Sequence, residues 1–154
     1  MILVRPGKVS DTEALAQIFT RAVRQTAARD YTQAQLDVWA PDRPDIESFA
    51  ARHRTMPAFV AEEDGVLAGF TDLNATGYID MLYVDPAFAR RGVARVLIAT
   101  LEARARKQKM PRLHARASVT ARPVFERLGF TVIAPFLMEF RGQNFQTYLV
   151  EKLL

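Results

Sequence analysis

The chain has 154 residues and no cysteine, which excludes disulfides, thiolate catalysis and cysteine-ligated zinc. Its net charge of +4 suits a small polyanionic ligand or weak nucleic-acid contact. The length and the 49% hydrophobic content fit one domain, residues 1–154, whose core needs no staple.

Ile2–Arg5 reads as a short strand stopped by Pro6-Gly7. Ser10 or Asp11 caps a helix over about Thr12–Ala28, where Leu15, Ile18, Phe19, Ala22 and Val23 recur at helical spacing. Arg29-Asp30-Tyr31 leads to a second helix, Thr32–Trp39, capped by Thr32 and stopped at Pro41. A third helix spans about Asp45–Arg54. Ala58–Glu63 and Val66–Leu73 are strands around Asp64-Gly65, a strong hairpin signal. Asn74–Gly77 turns the chain into a fourth strand, Tyr78–Val84. That strand ends at Asp85-Pro86, because proline lacks the N–H that a ladder needs.

Arg90-Arg91-Gly92 then opens an amphipathic helix running to about Met110. The first helical N–H groups have no partner within the helix, and glycine lets a ligand come close to them. With arginines alongside, such a mouth suits a phosphate or pyrophosphate. A helix start that is merely basic is the plainer alternative. Arg112–Ala117 is a strand, and Ser118 caps a compact helix, Val119–Leu128, ended by Gly129. Thr131–Phe140 and Phe145–Leu153 are strands joined by Arg141–Asn144. The basic residues Arg104, Arg106, Lys107 and Lys109 lie near a helix C-terminus, where cations are favoured. This order predicts an α/β fold: a mixed, largely antiparallel sheet with helices on both faces.

His53 and His114 are the two imidazoles, and no acidic cluster has ligand spacing, so no metal is expected. Nothing approaches a membrane span, and MILVRPGKV is too short and wrongly flanked for a signal peptide. A cytoplasmic protein without membrane partners is the expectation.

The element order, with YVDPAFARRGVARVLI at its centre, resembles the GNAT N-acetyltransferase superfamily over nearly the whole chain. The stretch looks like that family's acetyl-CoA signature: Gln or Arg, two residues, Gly, one residue, then Gly or Ala. Gly92 and Ala94 fit it, while Ala89 stands where Gln or Arg is usual. The second landmark is the small helix ending in Leu-Gly-Phe, here Ser118–Phe130. The resemblance implies a sheet splayed between strands 4 and 5, with the acetyl-pantetheine arm in the gap. Backbone groups of Leu82 and Val84 would hold that arm, with Tyr83, Ser118 and Phe125 beside it. The N–H groups and side chains of Arg90, Arg91, Gly92, Val93, Ala94 and Arg95 would hold the pyrophosphate.

Amine attack on a thioester needs alignment, loss of an ammonium proton, and a proton for the departing thiolate. Many family members place a tyrosine where this chain has Phe125. Tyr83, Tyr148 and Ser118 are the alternative acids; their plainer roles are strand residues and a helix cap. Asp80, an ionisable residue inside an apolar strand, is the leading base, since burial raises a carboxyl pKa. Pairing with an arginine is its plainer role. His114 is expected to face solvent. Asp30, Tyr31 and Trp39 lie in the region that walls the acceptor pocket of the family, and an aromatic-plus-acid wall suits a cationic amine.

The expected function is acetyl-CoA-dependent N-acetylation of a primary amine, by direct attack in a ternary complex. A catalytically silent acyl-CoA-binding domain of the same fold is one alternative, favoured by Phe125. A small nucleic-acid-binding module using Arg104–Arg116 is the other. That run lacks interleaved aromatics, so no nucleic-acid partner is expected. The apolar run Ile133–Phe140 offers an edge for a homodimer.

Overall fold

In a computed structural model describing residues 1–154, the chain begins with β1 (Ile2–Pro6), α1 (Thr12–Arg21), α2 (Gln33–Trp39) and α3 (Ile46–Thr55). It continues through β2 (Ala58–Glu63), β3 (Val66–Asp72), β4 (Tyr78–Ile79) and β5 (Leu82–Val84). Then come α4 (Val93–Lys107), β6 (Arg112–Ser118), α5 (Arg122–Arg127), β7 (Thr131–Phe140) and β8 (Gln143–Leu153). The strands form two four-stranded sheets, ordered β1-β2-β3-β5 and β4-β6-β8-β7. All pairs are antiparallel except β4 with β6.

The fourth strand expected over Tyr78–Val84 is therefore two strands in two sheets. Tyr78 and Ile79 pair with His114 and Ala115. Leu82, Tyr83 and Val84 pair with Thr71, Phe70 and Gly69. The cause is the end of β3. The Asp80 and Met81 N–H groups donate to Asp72 Oδ1 at 2.8 and 2.9 Å. The Thr71 hydroxyl donates to the Met81 carbonyl at 2.8 Å. These bonds divert the Asp80 and Met81 amides from strand pairing, and the halves on either side diverge. The sheet is thus splayed between β5 and β6.

Other expectations shift only at their ends. Past Arg21 the first helix winds on as a π-helical turn, Ala22–Thr26, and a 3-10 turn, Ala27–Arg29. Asp11 turns away from the start of α1, since Arg5 holds its carboxylate at 2.8 and 3.0 Å. The cap of α2 forms as expected, with Gln35 N–H donating to Thr32 Oγ1 and Thr32 N–H donating to Gln35 Oε1. The helix α4 stops short of Met110, where Lys109 adopts a positive φ of 58°. The compact helix starts at Arg122, because Ser118 Oγ accepts the Ala121 N–H and closes a turn first. Pro123 falls in its first turn, where a missing N–H costs nothing.

β2 and β3 are covered on both faces. Val60 and Phe70 pack with Leu15, Ile18 and Phe49 from α1 and α3. Ala61 and Ala68 pack with Val93 and Leu97 of α4. The second sheet packs Leu113, Ala115 and Val150 against Ile98 and Leu101 of α4 and Phe125 of α5. β7 is its outer strand, with Ile133 and Leu137 54% and 66% exposed. The basic residues find local partners: Arg106 with Glu102, Arg112 with Glu151, Arg104 over Phe59 and Arg116 over Phe136. No helix is long and apolar enough to cross a membrane.

Candidate active site

The splay opens a cavity of about 310 Å³ between β5 and β6. Its walls are mostly apolar, with Tyr31, Trp39, Phe125 and Phe145 among them, and Arg52, Asp80 and Arg116 are its charged groups. A second cavity of about 140 Å³ lies alongside β5 and reaches Val84 and Ala94. The two share Trp39, Leu82, Tyr83, Ser118 and Ala121 in their walls.

β5 is the edge of its sheet, so one side of its backbone has no strand partner. The Met81 carbonyl accepts from Asp72 N–H, and Asp85 N–H donates to the Ala68 carbonyl. By the alternation of an antiparallel ladder, Leu82 and Val84 turn their N–H and C=O groups the other way, into the gap.

The small cavity leads to the mouth of α4 at Ala94. Gly92 is the residue before the helix, with a φ of 82° that side chains rarely adopt. A Cβ built there meets nothing within 4 Å, so the backbone faces open space. The first intrahelical bond runs from Val96 N–H to the Gly92 carbonyl. The N–H groups of Val93, Ala94 and Arg95 therefore have no partner in the helix. Arg90 and Arg95 are exposed and lack a carboxylate partner, whereas Arg91 pairs with Glu63 at 3.0 Å. Open backbone, free amides and unpaired cations fit a diphosphate.

The remaining candidates divide. Asp80 lines the large cavity and forms an ion pair with Arg52 of α3. Tyr83 lies between the two cavities, its ring 4.9 Å from that of Phe19, and burial pushes its phenol up. Ser118 borders both cavities. Phe125 is buried against Phe130 with ring centroids 5.0 Å apart, presenting carbon alone to the gap. Tyr148 lines neither cavity; the Arg122 guanidinium covers its ring at 4.4 Å. Asp30 also lines neither, because its carboxylate accepts the Thr120 hydroxyl at 2.7 Å. Tyr31 and Trp39 stand in the wall with rings 5.1 Å apart. His114 packs on Tyr78, with Nε2 3.3 Å from the Thr76 carbonyl.

Asp72 and Arg52 are among the residues that escaped the sequence reading. Asp72 is fully buried, and burial pushes its carboxyl up to about 6 against the opposing pull of the Met81 N–H and of Arg52. Its Oδ2 has no hydrogen-bond partner. An acid inside an apolar strand is a signal that applied to Asp72 as well as to Asp80. Arg52 reaches the cavity from α3, and nothing in its Arg-His-Arg run marks it.

Residues 27–152 match the family model of the acetyltransferase (GNAT) domain. The chain belongs to the GNAT acetyltransferase family. Among its GNAT relatives, the uncharacterized N-acetyltransferase YafP of Escherichia coli is 34% identical over 147 residues, covering 96% of this chain and 93% of its own. A GCN5-related N-acetyltransferase from Rhodopseudomonas palustris has a solved structure with a TM-score of 0.93, at 31% identity over 99% of this chain and 95% of that one. YncA of Salmonella typhimurium, solved with its cofactor acetyl-CoA, has a TM-score of 0.74 at 22% identity, over 99% of this GNAT chain and 93% of its own.

Proposed function

We propose that the chain moves the acetyl group of acetyl-CoA to a primary amine by direct attack within a ternary complex. The observation that carries this reading is the broken fourth strand. Beside it lie unpaired strand amides and two adjoining cavities, the smaller of which reaches the helix mouth at Ala94. The acetyl-CoA in YncA, which shares the fold, supports the same co-substrate here.

Acetyl-CoA supplies the activated carbonyl and a thiolate leaving group. The amides of Val93, Ala94 and Arg95, with the Arg90 and Arg95 side chains, grip the diphosphate. The gap-side amides of Leu82 and Val84 align the arm and donate to a carbonyl lying along the strand. The aromatic wall keeps water from the reacting groups. Asp80 accepts the proton that an ammonium must lose before its nitrogen can attack, and Arg52 orients the carboxylate.

Calorimetry with acetyl-CoA, coupled to thiol release over a panel of amines, tests this. Binding and turnover on at least one amine are expected. Asp80→Asn should lower kcat roughly 10²- to 10⁴-fold with acetyl-CoA affinity unchanged. Equal activity at every pH would remove Asp80 as the base. A second reading, a silent acyl-CoA-binding domain, is favoured by Phe125, and binding without turnover on any amine would support it.

A further inference from the structure

We infer that Tyr31 is the acid that protonates the departing thiolate of coenzyme A. The inference rests on the transferase reading above. Phe125 has no proton to give, so one must come from another group where the two cavities meet. Tyr148 borders neither cavity, Ser118 is an aliphatic alcohol and a far weaker acid than a phenol, and the Tyr83 ring is packed against Phe19 and Phe70 at 4.9 and 5.8 Å. Tyr31 reaches this place from the connection between α1 and α2. Its ring stands edge-on to Trp39 at 5.1 Å and tilted to Phe145 at 6.0 Å, which fixes where the hydroxyl points. The hydroxyl oxygen accepts the Val119 N–H at 2.8 Å, next to Ser118 in the shared wall. That bond occupies a lone pair and leaves the O–H free to donate. Asp30 accepts the Thr120 hydroxyl at 2.7 Å, a second bond between this connection and the 118–121 turn. Burial pushes the phenol up, which keeps the proton on oxygen at neutral pH.

The exchange balances. The amine nitrogen bonds to the acyl carbon as the carbon–sulfur bond breaks, and the sulfur takes the phenolic proton. The phenolate regains the proton that the new amide nitrogen sheds.

Coenzyme A and desulfo-coenzyme A, which lacks the sulfur, are titrated into wild type and Tyr31→Phe at pH 7 and pH 9. Trp39 is the one tryptophan and serves as the fluorescent reporter. At pH 9, where the thiol ionises, wild type should prefer coenzyme A about tenfold or more through a charge-assisted hydrogen bond. Tyr31→Phe should bring the two ligands to near parity, with desulfo-coenzyme A affinity unchanged. The same preference in both proteins, or none in wild type, overturns the inference. A parallel loss of both ligands in the variant overturns it too, since Tyr31 then acts through structure alone. Failure of both coenzyme A and desulfo-coenzyme A to bind wild type would overturn the transferase reading instead.

Discussion

Asp72 is fully buried, and one of its oxygens accepts the two amides that the broken strand cannot pair. Burial raises its carboxyl from 3.8 to about 6, so the folded chain holds this proton over a range where the unfolded chain has lost it. Stability from this group is therefore complete below about pH 4 and falls as pH rises toward 6, by roughly 3 kcal/mol in all. Asp72→Asn keeps an oxygen for the amides and removes the titration. The stability of wild type relative to Asp72→Asn, from urea unfolding, should drop by about that amount between pH 4 and 7. Parallel stability profiles for the two proteins would show that Asp72 does not titrate there. Local sequence shows an acid inside an apolar strand but not what that acid holds. Asp72 matters through amides eight and nine positions on, and Tyr31 through a contact 88 positions away.

At the scale of elements, periodicity and punctuation carried most of the fold. Asp64-Gly65 made its hairpin, Thr32 capped its helix, and Gly92 marked the start of α4. What local pattern missed was the break in YIDMLYV, which reads as one apolar strand. Its cause is a side chain on the neighbouring strand, and no propensity within seven residues encodes that. The Gly92 corner is the element on which the proposed cofactor binding turns. A side chain at a φ of 82° costs about 1–2 kcal/mol, and more when β-branched. Since a Cβ there meets open space, Gly92→Val should lower Tm by only about 3–8 °C. Its branches would fill the space assigned to the diphosphate, so the Kd for coenzyme A should rise at least about tenfold, as when one or two charge-assisted hydrogen bonds are lost. An unchanged Kd would mean the diphosphate binds elsewhere.

Across the whole molecule, the two sheets share no continuous strand pairing, and the covalent link at Asp80-Met81 crosses the seam between them. The cavities lie along that seam, and each wall comes from a different region: the α1–α2 connection, β5, β6 and α5. The family landmarks at Gly92 and at Leu128-Gly129-Phe130 were readable because they are local. The wall of the large cavity was only half readable, since Arg52, Met138 and Phe140 enter it from elements whose own patterns say nothing of a site. The central claim is that coenzyme A spans this seam, with its diphosphate at Gly92 and its arm along β5. An amide-resolved NMR titration with coenzyme A tests it most directly. The account predicts the largest shifts at the N–H groups of Val93, Ala94 and Arg95 and at Leu82 and Val84. Saturable binding that leaves those five amides unmoved while others shift would contradict it.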